Sequence, residues 1–237
     1  MTKRADPSLP PSPAPMSGLL VVDKPLHWSS MTVVRKVRHA AGGAKTGHAG
    51  TLDPLATGVV ICCLGRATKL VPQLMGMTKV YDASVDLSAF TTTDDREGEC
   101  NPVPVTAPPS TDDLRQALSV FIGDIQQTPP AFSAIHIQGQ RAYKLARAGR
   151  SVEIPSRIVH IDAIELLAYN WPIVELRITC GKGTYIRSLA RDLGRLLHTG
   201  GHLAALRRTR VGAYDLNQAV NAQRLTQPIT QEDLLPI

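Results

Sequence analysis

The sequence predicts an α+β fold. In some stretches apolar and polar residues alternate strictly, as on a strand with one wet face, and in others apolar residues return every three or four positions, as along one side of a helix. The two kinds follow one another irregularly and not as repeated strand-helix units. Antiparallel strands beside scattered helices therefore fit better than a regular parallel sheet. No internal repeat is visible.

The elements can be read in order. Residues 1–15 are rich in Pro and Ser and poor in large apolar side chains, so they predict a tail that cannot repay the entropy of ordering. Val33, Val34, Val37 and Ala41 predict a helix after Ser29 and Ser30, stopped by Gly42 and Gly43. Tyr81, Ala83, Val85 and Leu87 alternate with Asp82, Ser84 and Asp86, which predicts a strand. A Pro-rich break from Asn101 to Ser110 reads as a surface connection. Ser110 is then a natural N-cap for a helix carrying Leu114, Ala117, Leu118 and Phe121 and ended by Gly123. Val174, Leu176, Ile178 and Cys180 mark a second strand. The turn Gly181-Lys182-Gly183 leads from it into a helix with Ile186, Leu189, Ala190, Leu193 and Leu197 on its buried side.

With 237 residues and 43% hydrophobic content the chain can build a proper core. Its 26 Lys and Arg against 20 Asp and Glu suit an anionic partner without identifying one. Cys62, Cys63, Cys100 and Cys180 form no C-x-x-C pair, and the histidines do not cluster, so neither a zinc site nor a disulfide framework is indicated. Reduced thiols in a cytoplasm fit best. No segment reaches the roughly 18 apolar residues of a membrane span, and the N-terminus lacks the apolar run of a secretion signal.

The densest unusual stretch runs from Lys45 to Leu70. There Gly47, Gly50 and Gly58 bracket His48 and Asp53 in a loop ahead of a hydrophobic strand. Pro54 biases Asp53 away from the α region, and the glycines permit sharp turns and close approach by a ligand, so the carboxylate can be held at a fixed angle. An isolated Asp-Pro is more often a plain turn. Here the twelve contiguous residues GHAGTLDPLATG resemble the signature of the TruB family of pseudouridine synthases.

The resemblance extends over about residues 17–215. It takes in GLLVVDKPLHWSSMTVV with its Asp23-Lys24-Pro25 turn, Lys79-Val80-Tyr81, the segment Thr128 to Gly149, the run Cys180 to Arg187, and Leu206-Arg207-Arg208. It implies a pseudouridine synthase fold over residues 16–220, a mixed, mainly antiparallel sheet flanked by helices and loops with a central RNA-binding cleft. Residues 221–237 would be a short extension and not a separate domain.

By that resemblance Asp53 is the catalytic carboxylate. Tyr81 stacks on the extruded base, Tyr185 and Leu206 line its pocket, Arg187 pairs with Asp53 and orients it, and His48 lies near the nucleotide. Taken alone, Arg187, Arg191 and Arg195 would read as a solvent stripe at i, i+4, i+8. Lys182, Arg207 and Arg208 are the candidates for the RNA backbone, helped by Arg187, Arg191, Arg195 and Arg210. The implied reaction converts uridine to pseudouridine in the T arm of transfer RNA, at the T-loop uridine conventionally numbered 55. A stacked uridine must be flipped out to reach such a site. The isomerisation involves no redox step, no metal or organic cofactor is called for, and a monomer is expected.

Two departures stand out. Thr92 occupies the place of the first acid in the family pattern T-D-T-x-D-x-x-G, so contacts near the pocket mouth could be supplied instead by Asp94. The chain is also expected to lack the additional C-terminal RNA-binding domain that family members often carry. Three alternatives stay open: a synthase acting on another RNA, a tRNA-folding chaperone without essential catalysis, and, more weakly, a metal-dependent nuclease, for which Asp53 has no neighbouring carboxylates.

Overall fold

The computed structural model describes residues 16–132, 136–137, 140–141 and 154–237. The tail at residues 1–15 and most of the segment from Thr128 to Gly149 lie outside them. A nine-stranded sheet organises the rest, its main path running β1 (Gly18–Lys24), β3 (Ala56–Leu64), β12 (His202–Val211), β4 (Lys79–Asp86), β11 (Ile173–Cys180), β10 (Arg157–Asn170) and β7 (Gly123–Gln127). The short strands β2 (Thr46–His48) and β13 (Tyr214–Asp215) add to β3 and β12. Two small hairpins, β5 (Ala89–Thr91) with β6 (Cys100–Pro102) and β8 (His136–Ile137) with β9 (Gln140–Arg141), stand apart. Every pairing in the large sheet is antiparallel except β3 with β12, which run parallel with Leu206 opposite Ala56 and Arg208 opposite Gly58.

The apolar run of β3, ATGVVICCL, is explained by burial on both faces. Val60, Cys62 and Leu64 join one core, and Val59, Ile61 and Cys63 join a second beneath the segment that follows β3. Helix α1 (Ser30–Ala40) starts where Ser29 Oγ accepts from Thr32 N at 3.0 Å, and it buries Val33, Val34 and Val37 against the first core. Full burial of each such side chain contributes about 1.5–3 kcal/mol. A six-residue α2 (Val71–Gly76) follows β3.

In α3 (Thr111–Ser119) a capping box forms, with Asp113 N donating to Ser110 Oγ and Ser110 N to the Asp113 carboxylate. The helix stops four residues short of Gly123, because Gly123, at φ +93°, already opens β7. Likewise the Pro-rich break begins inside β6, whose Asn101 and Pro102 pair with β5. α4 (Ile186–Leu196) packs Ile186, Leu189, Ala190 and Leu193 into the core. Beyond β13 the chain runs in single 3₁₀ turns along β1 and α1, tied by Leu235 N to Leu19 O and Ile229 N to Ala40 O. Among the described residues no helix is long and apolar enough to cross a membrane.

Candidate active site

Asp53 sits in the loop between β2 and β3, and three elements hold that loop from behind. Ser30, at the start of α1, accepts from Leu52 N at 2.8 Å and donates to Leu52 O at 3.1 Å. From the end of β1, Lys24 donates to Trp28 O at 2.6 Å and Pro25 O at 3.0 Å and reaches Pro54 O at 3.5 Å. From β12, Arg208 donates to Val59 O at 2.7 Å, Gly50 O at 3.1 Å and Thr51 O at 3.5 Å. Lys24 is fully buried. Burial lowers its ammonium to about 8, the nearby Asp53 opposes that shift and Arg208 adds to it.

The parallel pairing that brings Arg208 under the loop depends on Gly58. At φ +103° it takes a conformation that L side chains rarely adopt, and a Cβ there would lie 2.2 Å from Arg208 O.

In front of the loop stands α4. Arg187 Nη2 lies 3.0 Å from Asp53 Oδ2, while Nη1 lies 3.2 Å from Asp95 Oδ2. Its remaining donors go to Phe132 O at 3.1 Å and Thr93 O at 3.3 Å. The two carboxylates differ in access: the Asp53 side chain is 41% exposed and that of Asp95 is 4% exposed. Arg187 thus anchors Asp53 from the protein side and leaves the rest of that carboxylate open to the cavity.

That cavity holds about 270 Å³, at the small end for ligand sites. Tyr81, from β4, and Tyr185, from the start of α4, face it together with Leu206 from β12, Asp53 and Arg187. Tyr81 also belongs to the core. Burial pushes its phenol above the ordinary value, with Arg208 pulling the other way. Among the described residues no three His, Cys, Asp or Glu side chains gather as a metal site.

The other candidates are placed differently. Lys182 is exposed on the cavity wall. Arg207 is part-exposed and pairs with Asp23 at 2.8 Å. His48 lies on β2 outside the cavity wall, with Nδ1 buried and without a partner among the described residues, and burial, then Arg208, lower its pKa.

Several readings need correction. Arg208 is 1% exposed and spends its donors on backbone carbonyls, so it supports the Asp53 loop and is not free for a phosphate. Of the arginine stripe only Arg195 is exposed, since Arg191 is buried against Asp94 at 2.7 Å, Asp192 at 2.9 Å and Thr128 O at 2.9 Å. Asp94 is therefore engaged away from the cavity, and Thr92 accepts from Glu99 N at 3.0 Å. The carboxylate that reaches Arg187 beside Asp53 is Asp95, which sequence reasoning passed over. Its signal was the second acid of the Thr91 to Gly98 stretch.

Residues 38–186 match the family model described as TruB family pseudouridylate synthase (N terminal domain). Residues 187–235 match the model described as tRNA pseudouridylate synthase B C-terminal domain, a span that includes β12 at the centre of the sheet. A Bacteroides fragilis protein named tRNA pseudouridine synthase B is 44% identical over 222 residues, covering 91% of this chain and 95% of its own. One of the same name from Dinoroseobacter shibae is 47% identical over 227 residues, covering 94% and 74%. Among solved structures, a Cbf5-Nop10-Gar1 complex aligns at TM-score 0.69 and 28% identity over 88% of this chain, and this chain spans 53% of that one. An H/ACA RNP bound to a substrate RNA containing 2'-deoxyuridine aligns at TM-score 0.65 and 26% identity, over 87% of this chain and 51% of that one.

Proposed function

The chain belongs to the TruB family of pseudouridine synthases, and on that premise we propose that it isomerises the T-loop uridine of transfer RNA conventionally numbered 55, with Asp53 as the catalytic carboxylate. The observation that carries this reading is the Arg187–Asp53 contact of 3.0 Å at the edge of a cavity faced by two tyrosines and a leucine. A carboxylate anchored on one side and open on the other can meet a sugar or base carbon without first reorganising.

The reaction breaks the N1–C1′ bond, turns the uracil and forms a C5–C1′ bond. The proton on C5 is lost and N1 gains one, so the product is an isomer of the substrate. Asp53 serves this as a nucleophile on sugar or base, or as a base toward a sugar proton. Tyr81, Tyr185 and Leu206 supply the apolar surface for a flipped uracil, at the cost of its stacking in the loop. Exposed Lys182 on the cavity wall provides a phosphate contact, and part-exposed Arg207, paired with Asp23, is a second candidate for the RNA backbone. The proposal takes the protein as a monomer acting in the cytoplasm.

The test is turnover of a uridine-containing tRNA transcript with the modified position mapped. Pseudouridine at the T-loop position from wild type, and none from Asp53→Asn with binding within a few-fold, is the expected result. Measurable turnover by Asp53→Asn would remove that residue from the chemistry. Modification confined to another RNA would replace the substrate assignment.

A further inference from the structure

Tyr185 stands at the junction between the Gly181 to Thr184 turn and α4. It occupies the N-cap position, yet its own side chain caps nothing, so α4 alone does not fix its ring. Two residues from the far edge of the sheet do. In the register of β7 with β10, Gln127 lies opposite Arg157, where side chains share a face of the sheet. Gln127 is 1% exposed. Its Oε1 accepts from Tyr185 N at 2.7 Å, and its Nε2 donates to Tyr185 O at 3.1 Å.

One carboxamide therefore pairs with both backbone polar groups of Tyr185, as a neighbouring strand would, sharing the carbonyl with Leu189 N, which donates to it at 3.1 Å from within the helix. Arg157 completes the grip: its guanidinium carbon lies 5.0 Å from the centroid of the Tyr185 ring, within cation–π range, and Nη2 donates to Gly183 O.

We propose that Gln127 and Arg157 are positioning residues that act as a cross-strand clamp on Tyr185, holding the cavity wall in its working place. The inference rests on the reading of that cavity as the uridine pocket. Tyr185 lies two residues before Arg187, so the clamp also fixes the start of the helix that carries the partner of Asp53.

The experiment is a double-mutant cycle in the full-length protein. Single-turnover rate and RNA affinity are measured with a tRNA transcript for Arg157→Met, Tyr185→Ala and the pair. Arg157→Met should lower the rate about tenfold with affinity within twofold of wild type, and it should change nothing further once Tyr185 is Ala. If Arg157→Met costs the same factor in the Tyr185→Ala background, or acts only on affinity, Arg157 touches RNA directly and the clamp is overturned. Full activity of Tyr185→Ala would overturn the clamp together with the pocket reading. A damaged Tyr185→Ala with an additive Arg157→Met overturns the clamp alone.

Gln127→Glu tests the other jaw. As a carboxylate it still accepts from Tyr185 N but opposes Tyr185 O, whereas once protonated it can donate again. Its rate relative to wild type should therefore recover as pH falls, and a flat ratio would count against the clamp.

Discussion

Replacing Arg187 by Met separates what this residue does for folding from what it does for the reaction. Arg187 answers two carboxylates of unequal burial, Asp53 at 41% exposure and Asp95 at 4%. Losing the cation leaves Asp53 able to turn to water, but it strands Asp95 in the interior with only Thr93 Oγ1 and Glu97 N as donors. Removing one partner of a buried ion pair costs about 3–5 kcal/mol. In a chain of this size each kcal/mol corresponds to about 2–4 °C, so the melting temperature should fall by roughly 6–20 °C. Asp53→Asn removes the exposed side of the same network, worth at most about 1 kcal/mol, and should melt within a few degrees of wild type. Adding Asp95→Asn to Arg187→Met should restore at least half the loss, since the stranded charge is gone. Urea and thermal denaturation without RNA read all four proteins. A loss below about 1 kcal/mol in Arg187→Met with Asp95 retained would refute the argument that the Asp95 charge depends on Arg187.

Other outcomes follow from the same geometry. Between about pH 8 and the ordinary lysine value of 10.5, the unfolded chain holds a proton at Lys24 that the folded chain has released, so Lys24 contributes a rise in unfolding free energy with pH across that window. The rise is read as the difference between wild type and Lys24→Met, because the thiols of Cys62, Cys63 and Cys180, pushed up by burial, act in the opposite direction. Lys24→Met should lack that rise in parallel denaturation curves, and an unchanged rise would assign it to other groups. Gly58→Ala places a Cβ 2.2 Å from Arg208 O at φ +103° and should abolish soluble folded protein or cost more than about 3 kcal/mol; near-normal melting would contradict the close strand approach. Lys182→Ala should shallow the salt dependence of RNA binding by about 0.9 in log–log slope, the duplex DNA figure, while Arg208→Ala should lower stability and leave the slope unchanged. Reversed behaviour in filter binding and melting would return Arg208 to the RNA backbone.

The helices and wet-faced strands were legible because one face of each meets water and the periodicity survives in the residue types. Ser29 and Ser110 marked the starts of α1 and α3 for the same local reason, since a side-chain oxygen there meets a free backbone N–H. What the sequence could not convey were contacts between distant segments. Arg187 and Arg191 have the spacing of a solvated stripe, and only the arrival of Asp94 and Asp95 across 97 and 92 residues makes them interior groups. Arg208 sits in a basic run that looks exposed, yet strand alternation sends it inward beneath the Asp53 loop. Gln127 carries no local signal, because its partner is backbone 58 residues away. The Asp53 loop stood out because Gly, Asp and Pro are themselves statements about backbone conformation.

The parallel seam between β3 and β12 also has a consequence for how the protein is made. The loop bearing Asp53 leaves the ribosome early, but Arg208, the side chain that fills the space beneath it, follows 155 positions later, as the difference of the two residue numbers gives. At the usual 5–20 residues per second, that interval is roughly 8–30 s. A nascent chain in this window has the Asp53 carboxylate and no floor beneath its loop, and Arg187, which pairs with that carboxylate at 3.0 Å, is added only near the end of the wait. The cavity is therefore complete only late, when the central strand β12, with Leu206 and Arg208 on the cavity wall, is inserted between β3 and β4.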